Sequence, residues 1–119
     1  MDDAAIELRK GALDVLVLKT LSWGPAHGYA ISRWIRETTG GTLKIEEGAL
    51  YPALHRMEQK GWIEAEWGLS QTNRRVKSYR LTAEGGKQLR TEALSWSHFA
   101  AAMAKVLEGT RPPEWAMEP

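Results

Sequence analysis

The sequence contains no cysteine. That excludes disulfides, thiolate metal sites and cysteine nucleophiles, and it suits a reducing compartment such as the cytoplasm. Nowhere do about 18 apolar residues run together, so no segment reads as a membrane span. The N-terminus carries Asp2 and Asp3 and no long apolar stretch, which is not a signal-peptide pattern. Net charge is scarce too: 16 basic and 15 acidic side chains leave a formal +1. Any basic footprint must therefore lie in the distribution of charge rather than in its total.

Patterns that carry catalysis are also thin. His27, His55 and His98 fall in three separate elements. His55 with Glu58 on one helix is too common a pair to signal a metal site. There is no glycine-rich phosphate loop, and no serine has nucleophile-elbow context. The chain is not expected to be an enzyme, and no catalytic residue, metal or cofactor is expected.

What is present fits one compact domain with a helical appendage. The length is 119 residues, with 43% apolar and 26% charged side chains. Six tryptophans are many for this length, and some of them must do more than fill a core.

Along residues 11–25, Leu13, Leu16, Val17, Thr20 and Leu21 share one helical face, while Val15 and Leu18 project elsewhere. A helix apolar on more than one side wants two partners, its own core and a second subunit. Gly24-Pro25 stops it. A second helix groups Ala30, Ile31, Trp34 and Ile35 and ends at Gly40-Gly41; "TLKI" is an extended link. A third helix, Gly48 to Lys60, has a buried stripe of Leu50, Ala53, Leu54 and Met57 and is closed by Gly61. "WIEAEWG" and "VKSYRLT" alternate with period two around the polar turn "LSQTNRR", a β-hairpin.

Thr82 caps a last helix, Ala83 to Glu108. On it Leu89, Ala93, Trp96, Ala100, Met103 and Leu107 recur at spacings of four and three, a seam for a two-helix interface. "GTRPPEWAMEP" reads as a mobile tail. The fold expected is mainly α with a small β-hairpin (α+β): a winged helix-turn-helix over 1–82, a dimerisation helix over 83–108 and a tail over 109–119. Leu13 and Val15 would join the seam at the dimer interface.

Chemistry concentrates in "EEGALYPALHRMEQKGW". With Leu50 and Leu54 inward, Gly48, Pro52, His55, Arg56 and Gln59 face outward and Tyr51 flanks them. Pro52 falls in the first turn, where no carbonyl awaits its missing amide hydrogen. Small and polar residues at a helix N-terminus suit close approach to base edges in a major groove. For His55 and Arg56 singly, a solvated side chain and a DNA contact both stand open. Acids at a helix N-terminus are favoured by its dipole, and capping is the reading preferred for Glu46 and Glu47, although Glu47 also suits cytosine.

The hairpin carries the asymmetry that the total conceals. From Ser70 to Thr82 there are Arg74, Arg75, Lys77 and Arg80 and no acid. Beside a recognition helix, such a turn suits phosphate neutralisation, with Asn73 and Arg74 able to enter a minor groove. On the last helix, Trp96 with Phe99 and Met103 reads either as a dimer contact or as a bracket for a planar aromatic effector.

"HGYAISRWI", "EEGALYPALHRMEQKGWIEAEWG", "NRRVKSYRLTAEGGKQL" and "SWSHF" together resemble the PadR-like transcriptional regulators across roughly residues 9–108. The resemblance implies a bacterial repressor acting as a two-fold homodimer, paired through the C-terminal helix with help from the first. It places Tyr51 and its helix neighbours, Gly48 and Ala49 among them, at the major groove, and Arg74, Arg75 and Lys77 on phosphates or the minor groove; Lys44 is also expected to contact DNA. Trp96 matches the aromatic position of ligand-responsive members. Two departures stand out: Glu46-Glu47 where many members have Ser-Pro, and Ala49 where a hydroxyl residue is frequent. The function expected is a DNA-binding regulator on a palindromic operator; the alternative is a winged-helix protein-interaction module that does not bind DNA.

Overall fold

A computed structural model describes residues 11–117; the acidic N-terminus with Asp2 and Asp3 lies outside the described residues. The elements run α1 (Ala12–Leu21), β1 (Ala26–His27), α2 (Gly28–Thr38), α3 (Glu47–Gln59), β2 (Ile63–Leu69), β3 (Arg75–Leu81), α4 (Ala83–Leu107) and a 3-10 turn at Glu114–Met117. The core joins Val17, Leu18 and Leu21 of α1, Ile31 and Ile35 of α2, the α3 stripe Leu50, Ala53, Leu54 and Met57, and Ile63 and Tyr79 of the sheet.

Several expectations change in detail. Leu18 is wholly buried, whereas Leu13 and Leu16 are half-exposed, so the buried face of α1 is rotated from the one read off the wheel. The cause is that α1 touches α2 and α3 on one side and α4 and β3 on another. The sheet has three strands in the order β1-β3-β2, not a bare hairpin: Ala26 and His27 pair antiparallel with Tyr79 and Ser78. His27 also caps α2, its Nδ1 accepting from the Ala30 amide at 3.2 Å. The tail expected to be mobile carries the short turn at Glu114–Met117.

Helix α3 begins one residue early, at Glu47, so Pro52 sits at its sixth position, past the first turn. Its missing amide hydrogen leaves the Gly48 carbonyl without its helical partner, a cost the sequence reading had set aside. At the other end, the Trp62 amide donates to the Met57 carbonyl at 3.0 Å and the Gly61 amide to Glu58 at 3.0 Å. This closing motif needs a left-handed residue, and Gly61 supplies it at φ 80°.

Thr82 then fixes the start of α4. Its hydroxyl donates to the Gly61 carbonyl at 2.6 Å and accepts from the Gly85 amide at 3.0 Å. Gly85 lies so close to Leu81 and the Trp62 carbonyl that a Cβ there would come within 2.9 Å of Leu81 Cδ1. Beyond that anchor, Gly85 is the one buried residue of the 25 in α4. At 1.5 Å per residue the helix is about 37 Å long. The radius of gyration is accordingly 18.4 Å, against about 13.5 Å for a compact chain of this length. The described residues thus form a packed head and a largely exposed arm.

Candidate nucleic-acid interface

The outward surface of α3 comprises Gly48, Ala49, Tyr51, Pro52, His55, Arg56 and Gln59, all exposed, with Lys44 exposed on the link before it. Tyr51 does not project freely. Its ring lies over Gly28 at the first turn of α2, where any Cβ would meet the ring carbon Cζ at 2.7 Å. Glycine at that position therefore lets the aromatic side chain of α3 lean on α2, which fixes the angle between the two helices. Glu46 is the N-cap of α3 but makes no side-chain capping bond. The capping role expected of the acids is thus reduced to favourable placement of Glu47 in the first turn, at the positive end of the helix dipole.

Arg56 has a partner the wheel could not reveal. Its guanidinium donates to the carboxylate of Asp14, a buried residue of α1. The contact spans 42 positions of sequence. It turns this guanidinium back toward α1 and ties α3 to the helix beneath it. The signal was present: Asp14 is the one charge in the apolar run "GALDVLVL".

The wing is sorted by register. Leu69 pairs with Arg75, Trp67 with Lys77, Ala65 with Tyr79 and Ile63 with Leu81. Paired residues share a face, and buried Ile63 and Tyr79 mark this one as the inner face, toward α3. Glu64 opposite Arg80 and Glu66 opposite Ser78 lie on the outer face. The Arg80 guanidinium is bound there, with Nη2 and Nε donating to Glu64 Oε1 at 2.7 and 3.0 Å. That hydrogen bond and the charge of Glu64 hold Arg80 above its ordinary pKa. The basic cluster of the sequence therefore divides in two: Arg80 is turned outward and paired with an acid, while Arg75 and Lys77 stand on the α3 side.

On that side the two cations differ. Lys77 Nζ sits 3.8 Å from Glu58 of α3 and within 5.8 and 5.5 Å of the Trp67 and Tyr79 rings. It is a strut between the wing and α3. Arg75 instead lies over the Trp67 ring at 4.4 Å. Burial raises the Tyr79 phenol above its ordinary pKa, with the charges of Glu58 and Tyr51 adding to the shift.

At the tip, the Ser70 amide donates to the Arg74 carbonyl at 2.8 Å and the Asn73 amide to Ser70 at 3.0 Å. Asn73 takes a left-handed φ of 64°, a conformation asparagine tolerates better than most residues. Arg74 follows it, exposed at the point of the wing. Sequence reasoning missed the roles of Trp67, Glu58, Glu64 and Asp14, each a partner to a cation it did name.

Among the described residues, most of the arm is exposed. Leu89 and Leu13 pack against the core of their own chain. Further along, Ala93, Ala100, Met103 and Leu107 are exposed, and Val15 and Trp96 are half-buried. Trp96 and Phe99 meet edge to face, with centroids 5.8 Å apart. A shallow hollow on the same helix is lined by Arg90, Ala93, Leu94 and Ser97 rather than by Trp96. Among the described residues no helix is long and apolar enough to cross a membrane, and no cluster of His, Cys, Asp or Glu could hold a metal ion.

A three-helix head with a two-stranded wing beside its third helix is the architecture of the winged helix-turn-helix transcription regulators. Residues 17–91 match the model of the Transcriptional regulator PadR-like family, and the chain belongs to that family. Its members are transcriptional regulators rather than enzymes.

Solved structures agree. A PadR family transcriptional regulator from Eggerthella lenta is 34% identical, with 90% of this chain and 91% of that one covered and a TM-score of 0.74. A transcriptional regulator from Clostridium thermocellum is 31% identical over 88% of this chain and 96% of that one, also at 0.74. A PadR family transcription regulator from Clostridium difficile is 31% identical over 82% and 99%, at 0.72.

Proposed function

We propose that this regulator binds double-stranded DNA as a two-fold homodimer on an inverted-repeat operator and represses transcription from it. One observation carries the reading: the acid-free inner face of the wing stands beside α3, whose outward residues are exposed, and Lys77 on Glu58 braces the two. In this reading the N-terminal turns of α3, with Gly48, Ala49, Tyr51, Pro52 and His55, approach base edges. Lys44, Arg74 and Arg75 take phosphates, and Asn73 lies at the tip of the wing. Arg56 acts through Asp14, holding α3 at its angle. The bare stripe of α4, from Ala93 through Trp96, Ala100 and Met103 to Leu107, meets the same stripe of a second copy, with Val15 of α1 beside it. The pairing sets two reading helices one duplex turn apart, about 34–36 Å.

A test is titration of genomic DNA fragments at two salt concentrations. A preferred palindromic fragment and a steep loss of affinity with salt are expected. Binding without sequence preference that also ignores Arg74→Ala with Arg75→Ala would instead establish the rival reading, a winged-helix protein-interaction module. An effector reading rests on Trp96 standing half-buried on the uncovered stripe, against Phe99 and near Met103. Planar aromatics should then quench tryptophan fluorescence in the wild type and not in a folded Trp96→Ala variant.

A further inference from the structure

The inner face of the wing exposes more apolar surface than a solvated hairpin has reason to show. Trp67 is 54% exposed and Leu69 70% exposed, side by side on one strand. Directly across from them stand Lys77 and Arg75. Exposed apolar groups rimmed by charge mark contact surfaces more often than solvated ones. The outer face of the same wing carries Glu64 and Glu66 against a single cation, Arg80, so the inner face is the one suited to a polyanion.

Each DNA strand alternates a charged phosphate with a sugar whose ring carbons are apolar. The wing's inner face has the matching composition: an apolar strand edge at Trp67 and Leu69 beside a cationic edge at Arg75 and Lys77. Stacking on Trp67 also limits where the Arg75 guanidinium can go, so less freedom is lost when it meets a phosphate. Lys77 is already engaged with Glu58, which leaves Arg75 as the cation set for an external anion.

We infer that Trp67 is a DNA-contacting residue: its exposed ring packs on the sugars of one strand and presents Arg75 to an adjacent phosphate as a single unit. The inference rests on the regulator reading above and adds to it an apolar, backbone-directed contact in the wing. Because sugars and phosphates are the same in every sequence, the contribution is independent of sequence.

The experiment uses the full chain and two unrelated duplexes of about three helical turns, between about 50 and 200 mM salt. Trp67→Ala is expected to weaken binding to both duplexes about tenfold with no change in formal charge, and Trp67→Phe to retain most of the affinity. Arg75→Gln should lower the salt slope by about one. The double variant should lose less than the product of the two single losses, because the pair acts together. Thermal unfolding of each variant checks the fold, and Trp67→Gln serves as a second variant if Trp67→Ala does not fold. Binding by a folded Trp67 variant within about twofold of wild type on both duplexes overturns the inference and leaves the regulator reading standing. So does loss confined to one sequence, or a fall in solution mass, which would make this face a contact between copies. Failure of the wild type to bind any duplex overturns both.

Discussion

In the head, Leu18, Ile31 and Leu54 are closed to water; on the arm, Leu94 is 61% exposed and Leu107 73%. The two regions are built from similar side chains in similar helical spacing. What differs is the surroundings. In the head, three helices and a sheet each supply a face to the others. The arm projects beyond them, so among the described residues little covers its apolar stripe after Leu89. Amphipathic spacing says only that a helix wants a neighbour, and a single chain supplies one in the first region and not in the second.

The contrast can be broken at its strongest point first. Leu54→Ala should destabilise the head by about 3 kcal/mol, measured by denaturant unfolding, since it opens a cavity in a wholly buried site. A loss below about 1 kcal/mol would mean that the head is loosely packed. Smaller, at about 1 kcal/mol, is the cost of Asp14→Ala, which releases Arg56 from its buried partner while the half-exposed guanidinium stays solvated. Arg56→Ala should cost more, because it leaves the buried carboxylate without its cation. Equal losses from the two would show that the pair is merely a solvated contact. The smallest effect on stability belongs to the arm. Met103→Glu should leave unfolding of the head within about 0.5 kcal/mol of wild type, yet shift the solution mass to that of a monomer. A persistent dimer in that variant would move the interface off this stripe.

Much of the fold was legible because its signals are local. The stripe of α3 reads off "LYPALHRM", and the start of α4 reads off Thr82, whose side chain does cap Gly85. The strands were visible in their period of two, and Gly61 marked the end of α3. β1 was not legible, since Ala26 and His27 are too few to show alternation and owe their strand to Tyr79 and Ser78. The face of α1 was misjudged at Leu18, because a helix contacted on two sides has no single buried stripe.

For the candidate interface, the outward residues of α3 and the acid-free stretch of the wing were visible, but the partners of the cations were not. Arg56 goes to Asp14, Arg80 to Glu64 and Lys77 to Glu58. Arg74 is exposed at the tip of the wing, and Arg75 lies over a tryptophan that composition did not implicate.

By itself the sequence determined the order of the four helices and the hairpin, the buried stripe of α3 and the capped start of α4. Periodicity, capping and turn chemistry act within a few residues, so a linear reading captures them. The tertiary structure alone decided which charges are spent inside the molecule and which face outward. A long cationic side chain takes whichever carboxylate or ring folding brings within a few ångströms, and strand register and helix crossing set that proximity.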